Sequence, residues 1–208
     1  MVLKSIKWEK LRNDWLTLNM DGSVVGNFRI AGGGGLTRDA NGDWVTGFTR
    51  RIGTTTSFLA ELWALRHGLQ LCLQIHAQAA LIELDSKTIV DAFNSQTHSN
   101  TIVSSIMDDC RHMVSRIPQT RFRHIYREAN RCADFLAKLG TSFEGDFIVF
   151  SSPPMDLACV LEANANGLYV NKHCHEPIFF LKYNSGFTQK KKKKMSVHLL
   201  PKIINKRV

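Results

Sequence analysis

Four carboxylates stand where their types and spacing could do chemistry: Asp21, Glu61, Asp85 and Asp134. Asp21 follows an alternating apolar run, Leu16-Thr17-Leu18-Asn19-Met20, and precedes Gly22-Ser23. Asp85 follows a second such run, Ala80-Leu81-Ile82-Glu83-Leu84. Glu61 and Asp134 each open a helical pattern, Ser57-Phe58-Leu59-Ala60-Glu61-Leu62 and Asn130-Arg131-Cys132-Ala133-Asp134-Phe135. Acids at strand ends and helix starts collect at one edge of a sheet. Four acids cannot all stay ionised in one cleft without a cation. An oxygen-rich, sulfur-free donor set suits Mg²⁺ or Mn²⁺.

The elements that must position these acids are legible from periodicity. Residues 15–21 alternate as a half-buried strand, with Leu16, Leu18 and Met20 on one face. Ile30–Arg38 and Trp44–Arg51 flank an Asn41-Gly42 step, a hairpin signal that makes three antiparallel strands. The Gly53–Ser57 stretch offers helix caps, and Leu62, Leu65, Leu69 and Leu73 carry a helix to about Ile75. A fourth strand over Ala80–Asp85 leads to a helix over Lys87–Phe93 capped by Ser86, then a polar loop over Gln96–Asn100. Ile102, Ile106, Cys110, Met113 and Ile117 mark another helix, ended by Pro118. A fifth strand over Arg121–Tyr126 and a helix over Asn130–Leu139, stopped by Gly140, complete the pattern. The order βββαβααβα predicts an α/β fold with a mixed sheet and helices on both faces.

The residues around the acids resemble type 1 ribonuclease H, above all the stand-alone and retrotransposon-borne forms common in plants. The matching stretches are Leu18–Ser23, Ala31–Asp39, Ala60–Leu69, Glu83–Ser86 and His124–Asp134, in order along the chain. The resemblance implies a ribonuclease H-like three-layer fold with five strands, three antiparallel and then two parallel. It implies an endonuclease that hydrolyses the RNA strand of RNA–DNA hybrids with two ions, Mg²⁺ or Mn²⁺. In that reading Asp21 bridges both ions, Glu61 and Asp85 hold one side, and Asp134 holds the other. His124 falls at the position of a histidine that helps proton shuttling or product release. Here Ile125-Tyr126-Arg127-Glu128 follows it, a stiffer segment than the family's Gly-containing loop. The Lys/Trp-rich helical protrusion of some bacterial members has no counterpart.

The remaining features each carry two readings. Ser23 could contact a phosphate or close a turn. Arg121, Arg123, Arg127 and Arg131, with Arg111 and Arg116, could grip a hybrid through its phosphates or be solvated charges. Gly32–Gly35 lack the Gly-Lys-Ser/Thr of a P-loop. They admit close approach of a minor groove or a packing helix. An exonuclease would want Asp-x-Glu in the first strand, where Asp21-Gly22-Ser23 stands. A haloacid-dehalogenase-type phosphatase would want a nucleophilic Asp where Asn19 stands. The rival from another class is a nucleic-acid-binding, catalytically weak remnant of a retrotransposon polyprotein.

Charge divides the chain. Of its net +9, residues 187–208 supply seven Lys, one Arg and no acid, whereas residues 141–186 hold two basic and five acidic side chains. The expected organisation is an N-terminal extension over 1–14, the ribonuclease H-like domain over 15–140, a C-terminal extension over 141–186 and a basic, disordered tail over 187–208. The lysine run 190–194 reads equally as a nuclear-localisation signal or as translated A-rich sequence. Five cysteines without a CxxC pair read as thiols of an intracellular protein, nuclear or cytoplasmic. His173-Cys174-His175 lacks a partner pair for zinc. No run of about 18 apolar residues predicts a membrane span. The expected state is a monomer with an RNA–DNA hybrid as partner. A reverse-transcribing role would need a partner reverse transcriptase, since no polymerase segment is legible.

Overall fold

The computed structural model describes residues 5–9, 15–27, 29–95, 102–143, 145–165 and 170–171. Its elements are β1 (Ser5–Ile6), β2 (Leu16–Val25), β3 (Ile30–Arg38), β4 (Trp44–Thr54), α1 (Ser57–Gln74), β5 (Ala79–Leu84), α2 (Lys87–Asn94), α3 (Ile102–Ser115), β6 (Gln119–His124), a short 3₁₀ turn (Arg127–Ala129), α4 (Arg131–Ser142), β7 (Phe147–Phe150), α5 (Met155–Ala165) and β8 (Val170–Asn171). The predicted order of strands and helices is present. The polar loop, the His173–His175 triplet and the basic tail lie outside the described residues.

The main sheet runs β6-β5-β2-β3-β4-β7. β2, β3 and β4 pair antiparallel, while β5 pairs parallel with both β2 and β6. That is the expected mixed sheet, with six strands in place of five. The sixth, β7, adds antiparallel to β4 from within the expected C-terminal extension. Its four residues carry too little pattern to announce a strand, and pairing with β4 decides it.

The sheet is covered on both faces. On one, Leu62, Leu65 and Leu69 of α1 are fully buried with Leu18, Met20 and Ile82. Each such side chain contributes roughly 1.5–3 kcal/mol by leaving water. Thr56 caps α1, its hydroxyl accepting from the Leu59 backbone N–H at 3.3 Å. On the other face Leu36, Cys132, Ala133, Leu136 and Leu157 form a second core.

The glycine run of β3 serves both helices. Gly33 faces Ala64 of α1, whereas a Cβ on Gly34 would lie 2.3 Å from the Ala137 backbone N of α4. The packing-helix reading of these glycines therefore holds. Gly140 is not the stop that the sequence predicts, since α4 continues to Ser142. A Cβ at Gly140 would lie 2.4 Å from the Arg50 carbonyl oxygen, so the glycine lets the helix touch β4. The hairpin at Asn41-Gly42 forms as predicted, with Gly42 at φ 86° and the Asp39 carboxylate accepting from the Asp43 N–H at 2.8 Å.

Two residues before position 15 belong to the packed body. Ile6 and Trp8 are 5% and 3% exposed and cluster with Ala129 and Ile125. β1 also pairs antiparallel with β8. Among the described residues no helix is long and apolar enough to cross a membrane.

Candidate active site

Strand β2 carries Asp21 in its interior, opposite Gly34, not at a strand end as the sequence suggests. The strand continues to Val25 because Gly22, Ser23, Val24 and Val25 pair with residues 30–33. Gly22 also brings Glu61 near. A Cβ there would lie 2.3 Å from the Glu61 backbone N, so the first turn of α1 rests on β2 beside Asp21. Asp85 follows the last residue of β5 directly, and Asp134 sits in the first turn of α4. Asn130 ties that turn to β2, its side-chain amide donating to the Met20 carbonyl at 2.8 Å.

The four acids influence one another electrostatically. Burial pushes the Asp21 carboxyl up to about 8, and the charges of Asp85, Asp134 and Glu61 push the same way. Burial raises Glu61 to about 7, aided by Asp85, while a hydrogen bond from Ser86 pulls it down. Asp85 is raised by burial and by Asp134, against a backbone hydrogen bond and the charges of Arg127 and His124. Ser86, predicted as the cap of α2, makes no side-chain cap and serves Glu61 instead. The other Glu61 oxygen, Oε2, is buried without a hydrogen-bond partner.

An orphaned carboxylate oxygen amid like charges is a group in want of a cation. The donors are oxygen only, which suits Mg²⁺ or Mn²⁺. Among the described residues, no three His, Cys, Asp or Glu side chains are gathered tightly enough to enclose a metal ion as they stand. Asp134 is held by basic side chains: Arg127 Nη2 donates to Oδ1 at 3.1 Å and Lys138 Nζ to Oδ2 at 2.5 Å.

His124 ends β6, exposed, with Nε2 3.2 Å from the Asp85 carbonyl oxygen and its ring edge-on to Tyr126. It stands on a strand end, in keeping with its stiff flanking sequence. Ser23 is largely buried inside β2 opposite Gly32 and closes no turn; the turn falls at Gly26–Arg29. Arg121, opposite Leu81 on the neighbouring strand, lies over the Trp15 ring at 4.9 Å. Arg123 is committed elsewhere, its guanidinium pairing with the fully buried Glu83. Arg131 opens α4 three residues before Asp134. Arg127 pairs with Asp134, one of the four acids.

Sequence reasoning passed over Trp8, Ser86 as a partner of Glu61, Asn130 as a tie and Lys138. Only Lys138 left a readable signal, the i, i+4 spacing from Asp134.

Residues 19–140 match the reverse transcriptase-like family. An Arabidopsis thaliana protein whose name assigns it provisionally as a ribonuclease H protein is 31% identical over 166 residues, 80% of this chain. The aligned stretch spans only 27% of that relative. The N-terminal RNase H domain of a Mycobacterium tuberculosis protein superposes with a TM-score of 0.58 at 22% identity, covering 62% of this chain and 94% of that one. LC11-RNase H1, solved in complex with an RNA/DNA hybrid, gives 0.56 at 26% identity, with 61% and 96% covered.

Proposed function

The chain belongs to the reverse transcriptase-like family and has a ribonuclease H fold, and on that premise we propose that it is a metal-dependent endonuclease hydrolysing the RNA strand of RNA–DNA hybrids. The observation that carries this reading is the convergence of Asp21, Glu61, Asp85 and Asp134, with Glu61 Oε2 buried and unpartnered. The relative solved with an RNA/DNA hybrid supports the substrate class.

Asp21, Glu61, Asp85 and Asp134 would hold two divalent ions, Mg²⁺ or Mn²⁺, which when bound activate water and stabilise the leaving oxygen of a phosphodiester. The chain's own residues prepare this. Burial, with the charges of neighbouring acids, raises the Asp21 and Glu61 carboxyls, so that their ionised forms would gain from a cation bound there. The Ser86 hydroxyl fixes one Glu61 oxygen and leaves the other for a ligand. In this reading His124, exposed with its Nε2 3.2 Å from the Asp85 carbonyl oxygen, would take or deliver a proton at the cleaved strand. Arg121, Arg127 and Arg131 are candidates for phosphate contacts, whereas Arg123 is paired with Glu83.

A labelled-hybrid gel tests the reading. With Mg²⁺ or Mn²⁺ the full chain should cut only the RNA strand, leaving 3′-hydroxyl and 5′-phosphate ends. Retention of the hybrid without metal-dependent products, at high protein concentration, would overturn it in favour of a binding remnant.

A further inference from the structure

Arg127 has a partner that the hydrolysis scheme leaves unexplained. It sits in the short 3₁₀ turn between β6 and α4, with 69% of its side chain exposed, yet its guanidinium reaches back to Asp134 at 3.1 Å. The turn is pinned at both ends. Ala129 N–H donates to the Tyr126 carbonyl and Asn130 N–H to the Arg127 carbonyl, while the Asn130 side chain is tied to β2. A rigid base therefore carries a long, solvent-reaching arm whose head rests on one of four clustered acids. The same positive charge draws Asp21, Glu61 and Asp85 back toward ionisation.

We propose that Arg127 is an exchangeable counter-ion of the acid cluster: it pairs with Asp134 while no divalent ion is bound, and pairs with a phosphate of the nucleic-acid substrate when one is. This inference rests on the metal-dependent reading of the same site. Asp134 cannot offer Oδ1 to an ion and to Arg127 together without crowding two cations. A guanidinium released there stands at the mouth of the cluster, with a planar donor fork suited to phosphate. Lys138 cannot make the same exchange as readily. It lies on α4 itself, one turn beyond Asp134, and is held by the i, i+4 geometry of that helix. The consequence is coupling: filling the acid cluster raises affinity for the hybrid by more than charge neutralisation alone, because it frees an arm that grips the substrate.

Arg127→Gln in the full chain tests this without reference to cleavage. Divalent-ion affinity is read by calorimetry with Mg²⁺ and no nucleic acid. Hybrid affinity is read by fluorescence anisotropy with and without Ca²⁺, the hybrid's integrity being checked by gel. The variant should bind Mg²⁺ roughly three- to tenfold more tightly, since its competitor is gone. The gain in hybrid affinity that Ca²⁺ brings to the native chain should shrink by a similar factor. Lys87→Gln removes a nearby charge already paired with Asp91, and should leave the Ca²⁺-dependent gain at its native size. Equal Mg²⁺ affinity for Arg127→Gln and native protein, or an undiminished Ca²⁺-dependent gain, would overturn the exchange alone. Absence of divalent-ion binding to either protein would overturn it together with the metal-dependent reading.

Discussion

On the central strands β2 and β5, Asn19 and Glu83 lie side by side, and two residues further along each chain segment come Asp21 and Asp85. The two levels share a backbone and differ in what surrounds them. Glu83 is fully buried and saturated: Trp8 Nε1 and Asn19 Nδ2 donate to Oε2 at 3.1 and 2.7 Å, and Arg123 Nε donates to Oε1 at 2.8 Å. Arg38, 1% exposed, donates to Asn19 Oδ1 at 2.9 Å and stacks over the Trp8 ring at 3.9 Å. At the next level Asp21 lies within the electrostatic reach of three further carboxylates, Asp85, Asp134 and Glu61. At the first level the carboxylate is paired from within the chain; at the second only Asp134 has basic partners, Arg127 and Lys138, while Glu61 Oε2 is buried without a hydrogen bond. Under the proposed function, the second level is where a bound cation would complete the charge balance.

The largest expected effect comes from removing a carboxylate at the second level. Asp85→Asn should lower hybrid cleavage more than about 100-fold, beyond the loss typical of groups that merely support a ligand. Its thermal midpoint in metal-free buffer should stay level or rise, because repulsion is relieved. Wild-type cleavage by this variant would remove Asp85 from the site.

The same isosteric change one level down should do the reverse. Glu83→Gln leaves Arg123 without its carboxylate and removes the charge that favours the buried Arg38, and should destabilise the fold by about 3 kcal/mol. The figure sits at the low end for a broken buried pair because Arg123 is 38% exposed. Cleavage per folded molecule should stay within a few-fold of native. A denaturant series paired with activity at low temperature separates the two, and unchanged stability with lost activity would erase the contrast.

A smaller effect is expected from pH. In metal-free protein Asp21 and Glu61 are raised to about 8 and 7, from roughly 4 in the unfolded chain. The folded state then holds protons that the unfolded state has lost, so stability is highest below the unfolded values and falls as pH rises through 7 and 8. His67, lowered to about 4 by burial and by the charges of Arg50 and Arg66, acts oppositely, adding stability as pH climbs toward its unfolded value. Above pH 6.5 the carboxyls stand alone. Between pH 6.5 and 8.5 the thermal midpoint should fall by about 5–10 °C, the equivalent of ~2–3 kcal/mol from the two carboxyls. Mg²⁺ should abolish the fall, and a midpoint flat across this range without metal would refute the shared burial of the two acids.

Alternation along β2 and the 3.6-residue spacing of Leu62, Leu65 and Leu69 are local, and sequence alone determined them, together with the hairpin at Asn41-Gly42 and the four acids in their order. Within a strand or a helix, side-chain direction follows from position, so a short window contains the whole signal. Tertiary structure decided what no window contains. Trp8 meets Glu83 across 75 positions and Asn130 meets Met20 across 110. Gly140 reads as a helix stop until the Arg50 carbonyl is found against it. Phe147–Phe150 becomes a strand only because the edge of β4 has backbone groups to pair. Arg123 and Arg127 are alike in sequence, four residues apart. One lies on β6 beside a buried carboxylate and is consumed by the fold; the other lies on the turn beyond it and reaches the acid cluster. A charge's partner is chosen by chain segments brought together from far apart, and neither composition nor period encodes that choice.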